Sequence, residues 1–275
     1  MNPPVALTIA GSDSGGAAGI PADRKAVAAQ GVFGASAITA ITAQNSTEVR
    51  EILLVPPAFV VAQIDAVLDD LPVAATKTGM LASAETIVAL GALARAGRLP
   101  QLVVDPVLVA STGYRFLDPS AEAAYLEQLV PAATVVTPNL YEAGVLLGCT
   151  LETLDDQRAA TRALTEAGAR WAVVKGGHGT SDAGDDAIDV VCDGSDVVEL
   201  HAPRVATANT HGSGCSFASA IAAGLARGVP PMEAIRAAKT FVHSAIVGSA
   251  RWHLGAGHGP LDHFRWNNRN DQEDP

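Results

Sequence analysis

The chain reads as an α/β protein built on a mostly parallel sheet with helices on both faces, and three features carry that reading. Short β-branched runs alternate with alanine-rich stretches along most of the length. The apolar runs stop at Gly, Pro, Asp or Asn. One late stretch breaks the alternation with two strand-like segments back to back. Strand–helix alternation of this sort implies parallel strands joined by crossover helices.

In chain order, "VALTIAG" (5–11) is a strand and 22–29 the helix after it. "GASAITAITA" (34–43) precedes a helix over 57–71, and "AATKTGML" (74–81) precedes one over 83–96. "QLVVDPV" (101–107) leads to a helix over 120–129, and "ATVVTPN" (133–139) to helices over 140–147 and 155–167. "RWAVVKGG" (170–177) is the next strand. In "DVVCDGSDVVELHAP" (189–203) two short strands flank "DGSD", a hairpin expected at an antiparallel edge of the same sheet. "NTHGSGCSFASAIAAGLARG" (209–228) passes from a glycine loop into a long alanine-rich helix. No Ser-rich linker or internal repeat divides the chain, so one domain is expected over 1–265, with the polar 266–275 as a disordered tail.

Composition narrows the function. Of 275 residues, 48% are hydrophobic and 17% charged, which suits a folded soluble protein. No apolar stretch approaches the roughly 20 residues that span a bilayer, and the start "MNPPVALTIAG" lacks a basic secretory leader. A cytoplasmic protein with no membrane partner is expected. The formal net charge of −11 argues against nucleic acid, whose phosphates are gripped by clustered Lys and Arg. Cys149, Cys192 and Cys215 and the seven histidines fall at no metal-ligand spacing, which speaks against disulfides and a protein-bound zinc.

Ligands of open α/β sheets gather beyond the carboxyl ends of the strands. The polar residues that end the apolar runs are therefore site candidates: Asp13, Gln44, Thr78, Asp105, Asn139 and Lys175, with the 209–215 loop. No lysine follows a glycine as a Walker A loop requires, and Gly11, Gly15, Gly16 and Gly19 do not match GxGxxG. In "THGSGCS", Gly212 and Gly214 allow amides to converge where a helix begins, a seat for anions. The same loop would equally serve as a helix entry over a buried thiol. Asp105, Asn139 and Glu142 offer oxygens for a magnesium ion, directly or through water, and Lys175 offers charge to a nucleotide's phosphates. Each has an ordinary alternative: Asn139 as a helix cap, Asp105 as a strand end, Lys175 as a solvated charge. Jointly these alternatives lose ground.

From "ALTIAGSDSGGAAGIPADRKA" through "ITAITAQNS", "TKTGMLAS", "VVDPV", "VTPNLYEA" and "VVKGGH" to "NTHGSGCSFASAIAA" and "GHGPLDHF", the chain resembles the hydroxymethylpyrimidine and phosphomethylpyrimidine kinases of thiamine biosynthesis, in the ribokinase superfamily. The resemblance covers roughly 6–264 with the motifs in order. It implies a ribokinase-like three-layer sandwich, commonly a homodimer, and two ATP-dependent phosphorylations at one site: of the pyrimidine alcohol, then of its monophosphate. It implies ATP and Mg2+, with a monovalent cation as a further candidate. Asp23 and Gln44 would hydrogen-bond the pyrimidine, with Met80, Val107 and Gly11 around the ring. Asp105, Asn139, Lys175 and Thr210 would serve the nucleotide, and Asp105, Asn139 and Glu142 the metal. Gly212, Ser213, Gly214 and Cys215 would form the catalytic loop. Read as residues alone, Gln44 also suits a turn, Asp23 a first-turn acid and Met80 the core. Ala17 stands where the family usually has glycine and Pro21 where it has glutamine, which bears on substrate placement. His258 has no physical role in this reading.

Cys215 begins as packing, redox sulfur or base, and the resemblance narrows it to base or positioner. A free thiol of pKa near 8.5 is only about 3% ionised at pH 7, so a base role requires a shift. The competing functions are a pyridoxal-type vitamin kinase and a catalytically silent relative.

Overall fold

A computed structural model of the chain describes residues 2–109, 119–177, 179–180 and 184–266. The expected tail therefore lies outside the described residues from 267 on, as does His178. The strands are β1 (Val5–Asp13), β2 (Phe33–Gln44), β3 (Val49–Leu54), β4 (Val73–Thr78), β5 (Leu102–Val104), β6 (Val135–Val136), β7 (Trp171–Val174), β8 (Asp186–Cys192) and β9 (Val197–Pro203). The helices are α1 (Gly19–Ala29), α2 (Pro57–Leu68), α3 (Ala84–Arg95), α4 (Pro119–Ala124), α5 (Leu140–Leu147), α6 (Leu154–Glu166), α7 (Ser213–Ala226) and α8 (Pro231–Ser249). Past α4 the chain winds through a π turn over Tyr125–Leu129.

One nine-stranded sheet runs in the order β3-β2-β1-β4-β5-β6-β7-β8-β9. Strands β2 through β7 pair in parallel, while β3 and the β7–β8–β9 end are antiparallel. The hairpin expected over 189–203 is β8–β9. The second antiparallel edge, β3, carries no sequence signal because it is mostly exposed and shows no apolar alternation. The long helix α8 was likewise not anticipated, since no strand follows it to complete the alternation.

Successive residues of the buried strands feed two separate cores, as the period of two demands. Leu7 and Ile9 of β1, Leu102 and Val104 of β5, and Val136 of β6 pack with α2 to α6. Their neighbours Ala6, Val103 and Val135 pack with α1, α7 and α8. The result is a three-layer helix–sheet–helix sandwich. Short local rules set the helix starts: Ser83 caps α3, and Asn139 with Glu142 makes a capping box on α5. Pro21 falls in the first turn of α1, where its missing N–H costs nothing. Ala17 keeps a negative φ.

Candidate active site

β1 lies between β2 and β4, so the chain leaves it in opposite directions and opens a crevice at the carboxyl edge. A cavity of about 780 Å3 fills this crevice, reaching from the ends of β1 and β2 to the hairpin and α8. Gly11, Gln44, Met80, Asp105, Val107 and Asn139 line it. So do Glu142, Lys175, Thr210, Gly212, Ser213, Gly214 and Cys215. Of the expected site residues the cavity takes in all but Asp23, Thr78, which is buried within β4, and Asn209, whose side chain is turned to Ser249 O and Trp252 O.

Asp23 is the one among them to which the resemblance assigns a substrate role. It is fully buried in α1, where Lys77 Nζ of β4 lies 2.9 Å from both of its oxygens and Ser219 Oγ of α7 donates to one at 2.8 Å. The Thr8 hydroxyl donates to the other. With both oxygens taken and no cavity wall of its own, Asp23 is not placed against a substrate ring. Lys77 was missed from sequence, although a lone charge inside the apolar strand "AATKTGML" must find a partner.

At the ring end, Gly11 N donates to Met80 O at 3.1 Å, and a Cβ on Gly11 would collide with the Met80 side chain. Gln44 ends β2 with its amide in the cavity. Asp13 shapes the loop below: its carboxylate accepts the amides of Gly15 at 2.7 Å, Ala17 at 3.1 Å and Ala18 at 2.9 Å. His211 Nε2 lies 3.4 Å from Asp13 Oδ2. Burial opposes the Asp13 charge, but His211 and the Ala18 and Gly15 amides outweigh it and hold the carboxyl below its usual range. His211 lines the cavity from "THGSGCS"; it lies in the expected 209–215 loop, but the sequence assigns it no role there. Only its tertiary partners reveal it.

At the charged end α7 begins on Gly212, whose φ of +82° is open to glycine and whose missing Cβ makes room for the Ala17 carbonyl. Ser213 N donates to Thr210 O at 3.1 Å, so within the expected catalytic loop that amide is already committed. Gly214 and Cys215 are in the first turn, where helix geometry supplies no carbonyl. Lys175 and Asp105 stand over this turn: a Cβ on Gly214 would lie 3.0 Å from Lys175 Nζ and 3.9 Å from Asp105 Oδ2.

Asp105 Oδ1 accepts from Lys175 Nζ at 2.7 Å and Thr137 Oγ1 at 3.2 Å. Its Oδ2 is buried and has no hydrogen-bond partner among the described residues. Burial pushes the Glu142 carboxyl up to about 7, with Lys175 opposing and Asp105 adding to the rise. Burial lowers the Lys175 ammonium pKa, but Asp105 and Glu142 reverse the sign and raise it. An orphaned carboxylate oxygen beside a second carboxyl whose charge burial opposes suits a cation bound by one or two carboxylates and its waters, as Mg2+ prefers. Asn139 contributes less than expected, since its Oδ1 already accepts the Glu142 amide at 2.8 Å as the α5 cap. No cluster of three or more His, Cys, Asp and Glu able to hold a metal occurs among the described residues. The acidic pair must then share any ion with phosphate and water.

Burial pushes the Cys215 thiol up to about 11; Lys77 pulls it down, while Asp23 and Asp105 push it further. The helix terminus alone does not activate it. Further out, His258 Nδ1 donates to Ala208 O at 3.3 Å, a loop-holding task.

A sheet of this topology, with an anion-seating helix start facing an acidic pair, a lysine and an apolar ring seat, defines a ribokinase-like small-molecule kinase. The family model described as phosphomethylpyrimidine kinase matches residues 13–262. The chain is 49% identical over 265 residues to the hydroxymethylpyrimidine/phosphomethylpyrimidine kinase of Rhizobium meliloti, covering 95% of this chain and 98% of that one. The chain belongs to the phosphomethylpyrimidine kinase family. Two solved structures are similar: the pyridoxal kinase of Bacillus subtilis as an ADP complex, with a TM-score of 0.88 at 36% identity over 97% of this chain and 100% of the other; and the phosphomethylpyrimidine kinase of Clostridium difficile, with a TM-score of 0.76 at 35% identity over 88% and 99%.

Proposed function

We propose that this chain phosphorylates 4-amino-5-hydroxymethyl-2-methylpyrimidine with ATP and then phosphorylates the monophosphate to the diphosphate, two steps of thiamine biosynthesis. The observation that carries this is one cavity holding both an amide-and-apolar ring seat and a charged helix mouth. Met80, Val107 and Gly11 enclose the ring, and Gln44 offers its amide to a ring nitrogen and the neighbouring amino group. Lys175 and the Gly214 and Cys215 amides receive the nucleotide's phosphates, with Thr210 and Gly212 setting the loop that presents them. Asp105 and Glu142, with Asn139 beside them, hold Mg2+ through its waters; when bound, the ion neutralises charge on the phosphates. Transfer through a loose transition state asks mainly for alignment and charge neutralisation, which these groups supply. Cys215 accepts the alcohol proton as its thiolate.

We further infer one domain over 1–265, a monovalent cation as a candidate cofactor and a homodimer. Ile41 and Leu53 face each other across β2–β3, 50% and 66% exposed, an apolar edge suited to a second copy. A cytoplasmic location is part of the same proposal; none of the described helices is long and apolar enough to cross a membrane.

A coupled ATP assay with the pyrimidine alcohol, its monophosphate and pyridoxal tests the reading. Turnover of the first two, exceeding that of pyridoxal, is expected. Preference for pyridoxal would install the vitamin kinase suggested by the similarity to the B. subtilis enzyme, and no turnover with any would leave a silent relative.

A further inference from the structure

Lys77 of β4 is buried and is not among the residues lining the cavity, so any part it has in the reaction must act through another group. Its Nζ donates to both Asp23 oxygens at 2.9 Å. Those oxygens also accept the Ser219 and Thr8 hydroxyls. Taking two opposite charges out of water gains little net stability, and well-packed apolar replacements of such pairs are often as stable. Stability alone therefore does not account for a charged pair at this depth.

The neighbour that does is Cys215. It stands four residues before Ser219 on α7, one turn away on the same face. Because Ser219 reaches Asp23, the thiol lies on the face of α7 turned to α1 and β4, against both of which the helix packs. A Cβ on Gly79 would stand 2.6 Å from Lys77 Nζ, so glycine there leaves room for the ammonium at the carboxyl end of β4. An ammonium has three N–H groups, and among the described residues its hydrogen bonds all end on Asp23.

The charged groups around the thiol are Lys77 on β4, Asp23 on α1, Asp105 beyond β5 and Lys175 beyond β7, with the Gly19 amide of α1 as a neutral donor. Burial pushes the thiol up, and of these charges Lys77 acts on it most strongly and in the opposite sense. The influence is mutual: burial works against the Lys77 ammonium, but Asp23 first and Cys215 next hold its proton more tightly than usual.

We propose that Lys77 is a positioning residue of the first phosphorylation, its buried ammonium serving as the counter-charge of the Cys215 thiolate while Asp23 and Ser219 hold it against α7. In that step the alcohol oxygen bonds to the γ-phosphorus and the bond from phosphorus to the leaving ADP oxygen breaks. The alcohol proton passes to Cys215 Sγ, which later releases it to solvent. The second step, with an acceptor already ionised, asks nothing of the pair. The inference rests on the pyrimidine kinase function proposed above.

The test compares the full-length wild type with Lys77→Met by two readouts. One is the rate at which iodoacetamide alkylates Cys215, followed by peptide mass mapping, with exposed Cys149 as the internal reference. The other is turnover of the alcohol against that of the monophosphate at saturating ATP. An opposite charge beside an ionisable group is worth roughly one to three powers of ten in its ionisation, and about half of that returns as greater reactivity of the remaining thiolate. Cys215 alkylation and alcohol turnover should each fall about three- to thirtyfold in Lys77→Met, with Cys149 alkylation and monophosphate turnover nearly unchanged. A merely structural Lys77 behaves differently: a loosened site alkylates Cys215 faster, or both turnovers fall together, and either result overturns the inference. Should Lys77→Met not fold, Lys77→Met/Asp23→Asn removes the stranded carboxylate as well. Because Lys77 outweighs Asp23 at the thiol, both readouts should still fall, by a smaller factor, and rates that stay level or rise overturn it. A wild type that phosphorylates neither acceptor overturns the proposed function and this inference together, whereas a working wild type whose Cys215 alkylation and alcohol turnover are unmoved by Lys77→Met overturns the inference alone.

Discussion

With its thiol at about 11, Cys215 is ionised in roughly one molecule in 10⁴ at pH 7. The thiolate that does form is correspondingly a stronger base. We expect alcohol phosphorylation to climb with pH well above neutrality, whereas the monophosphate, already ionised, needs no proton removed and should show no such climb. Cys215→Ala should slow the first step by about 10²- to 10⁴-fold and the second far less; equal penalties would make the thiol a positioner. Beneath it, the Lys77–Asp23 pair is 1% and 0% exposed, so Lys77→Met strands a carboxylate and should destabilise by about 3–5 kcal/mol in denaturant titration. Adding Asp23→Asn should recover part of that loss. The residues that end buried strands, Gln44, Asp105, Asn139 and Lys175, were legible because an apolar run that stops on a polar group announces a strand end. Asp23 was not, because its role depends on Lys77, 54 residues away, and a first-turn acid looks the same whether it faces solvent or a buried ammonium.

Two buried side-chain bonds, one turn apart, hold the first half of α7. Ser219 reaches Asp23 toward the sheet, and Ser216 Oγ donates to His263 Nε2 at 2.8 Å, with the His263 Nδ1 proton turned to Leu261 O. Burial, helped by Lys25, lowers the His263 pKa to about 4 from 6.5. Above pH 6.5 neither the folded nor the unfolded imidazole binds a proton, so this contribution is fully present. As pH falls from 6.5 toward 4 only the unfolded chain takes the proton, and stability drops by about 1.4 kcal/mol per unit, roughly 3 kcal/mol in all. Denaturant titrations across this range should show the slope in wild type and lose most of it in His263→Gln. A His263→Gln curve parallel to wild type would place the acid sensitivity elsewhere. This explains the closing "GHGPLDHF" better than its sequence could, since nothing local marks His263 as the partner of Ser216, 47 residues earlier.

For the molecule as a whole, strand–helix alternation was enough to read a mostly parallel sheet and its β8–β9 edge. β3 escaped because an edge strand open to solvent needs no apolar period, and its exposed Leu53 served no core. That exposure gives an oligomer prediction: sedimentation should show a dimer that Leu53→Asp dissociates, with the fold kept, while a wild-type monomer would remove β3 from the interface. The double anchoring of α7 has a further consequence for two successive reactions in one cavity. A helix pinned by two buried bonds in its first two turns is held against following its ligand, so the place where phosphoryl groups change hands is stationary. After the first turnover the newly esterified ring must therefore back away by one phosphate before a fresh nucleotide can react with it. The depth of the ring seat, rather than the strength of the anion seat, then governs how the enzyme divides its effort between alcohol and monophosphate.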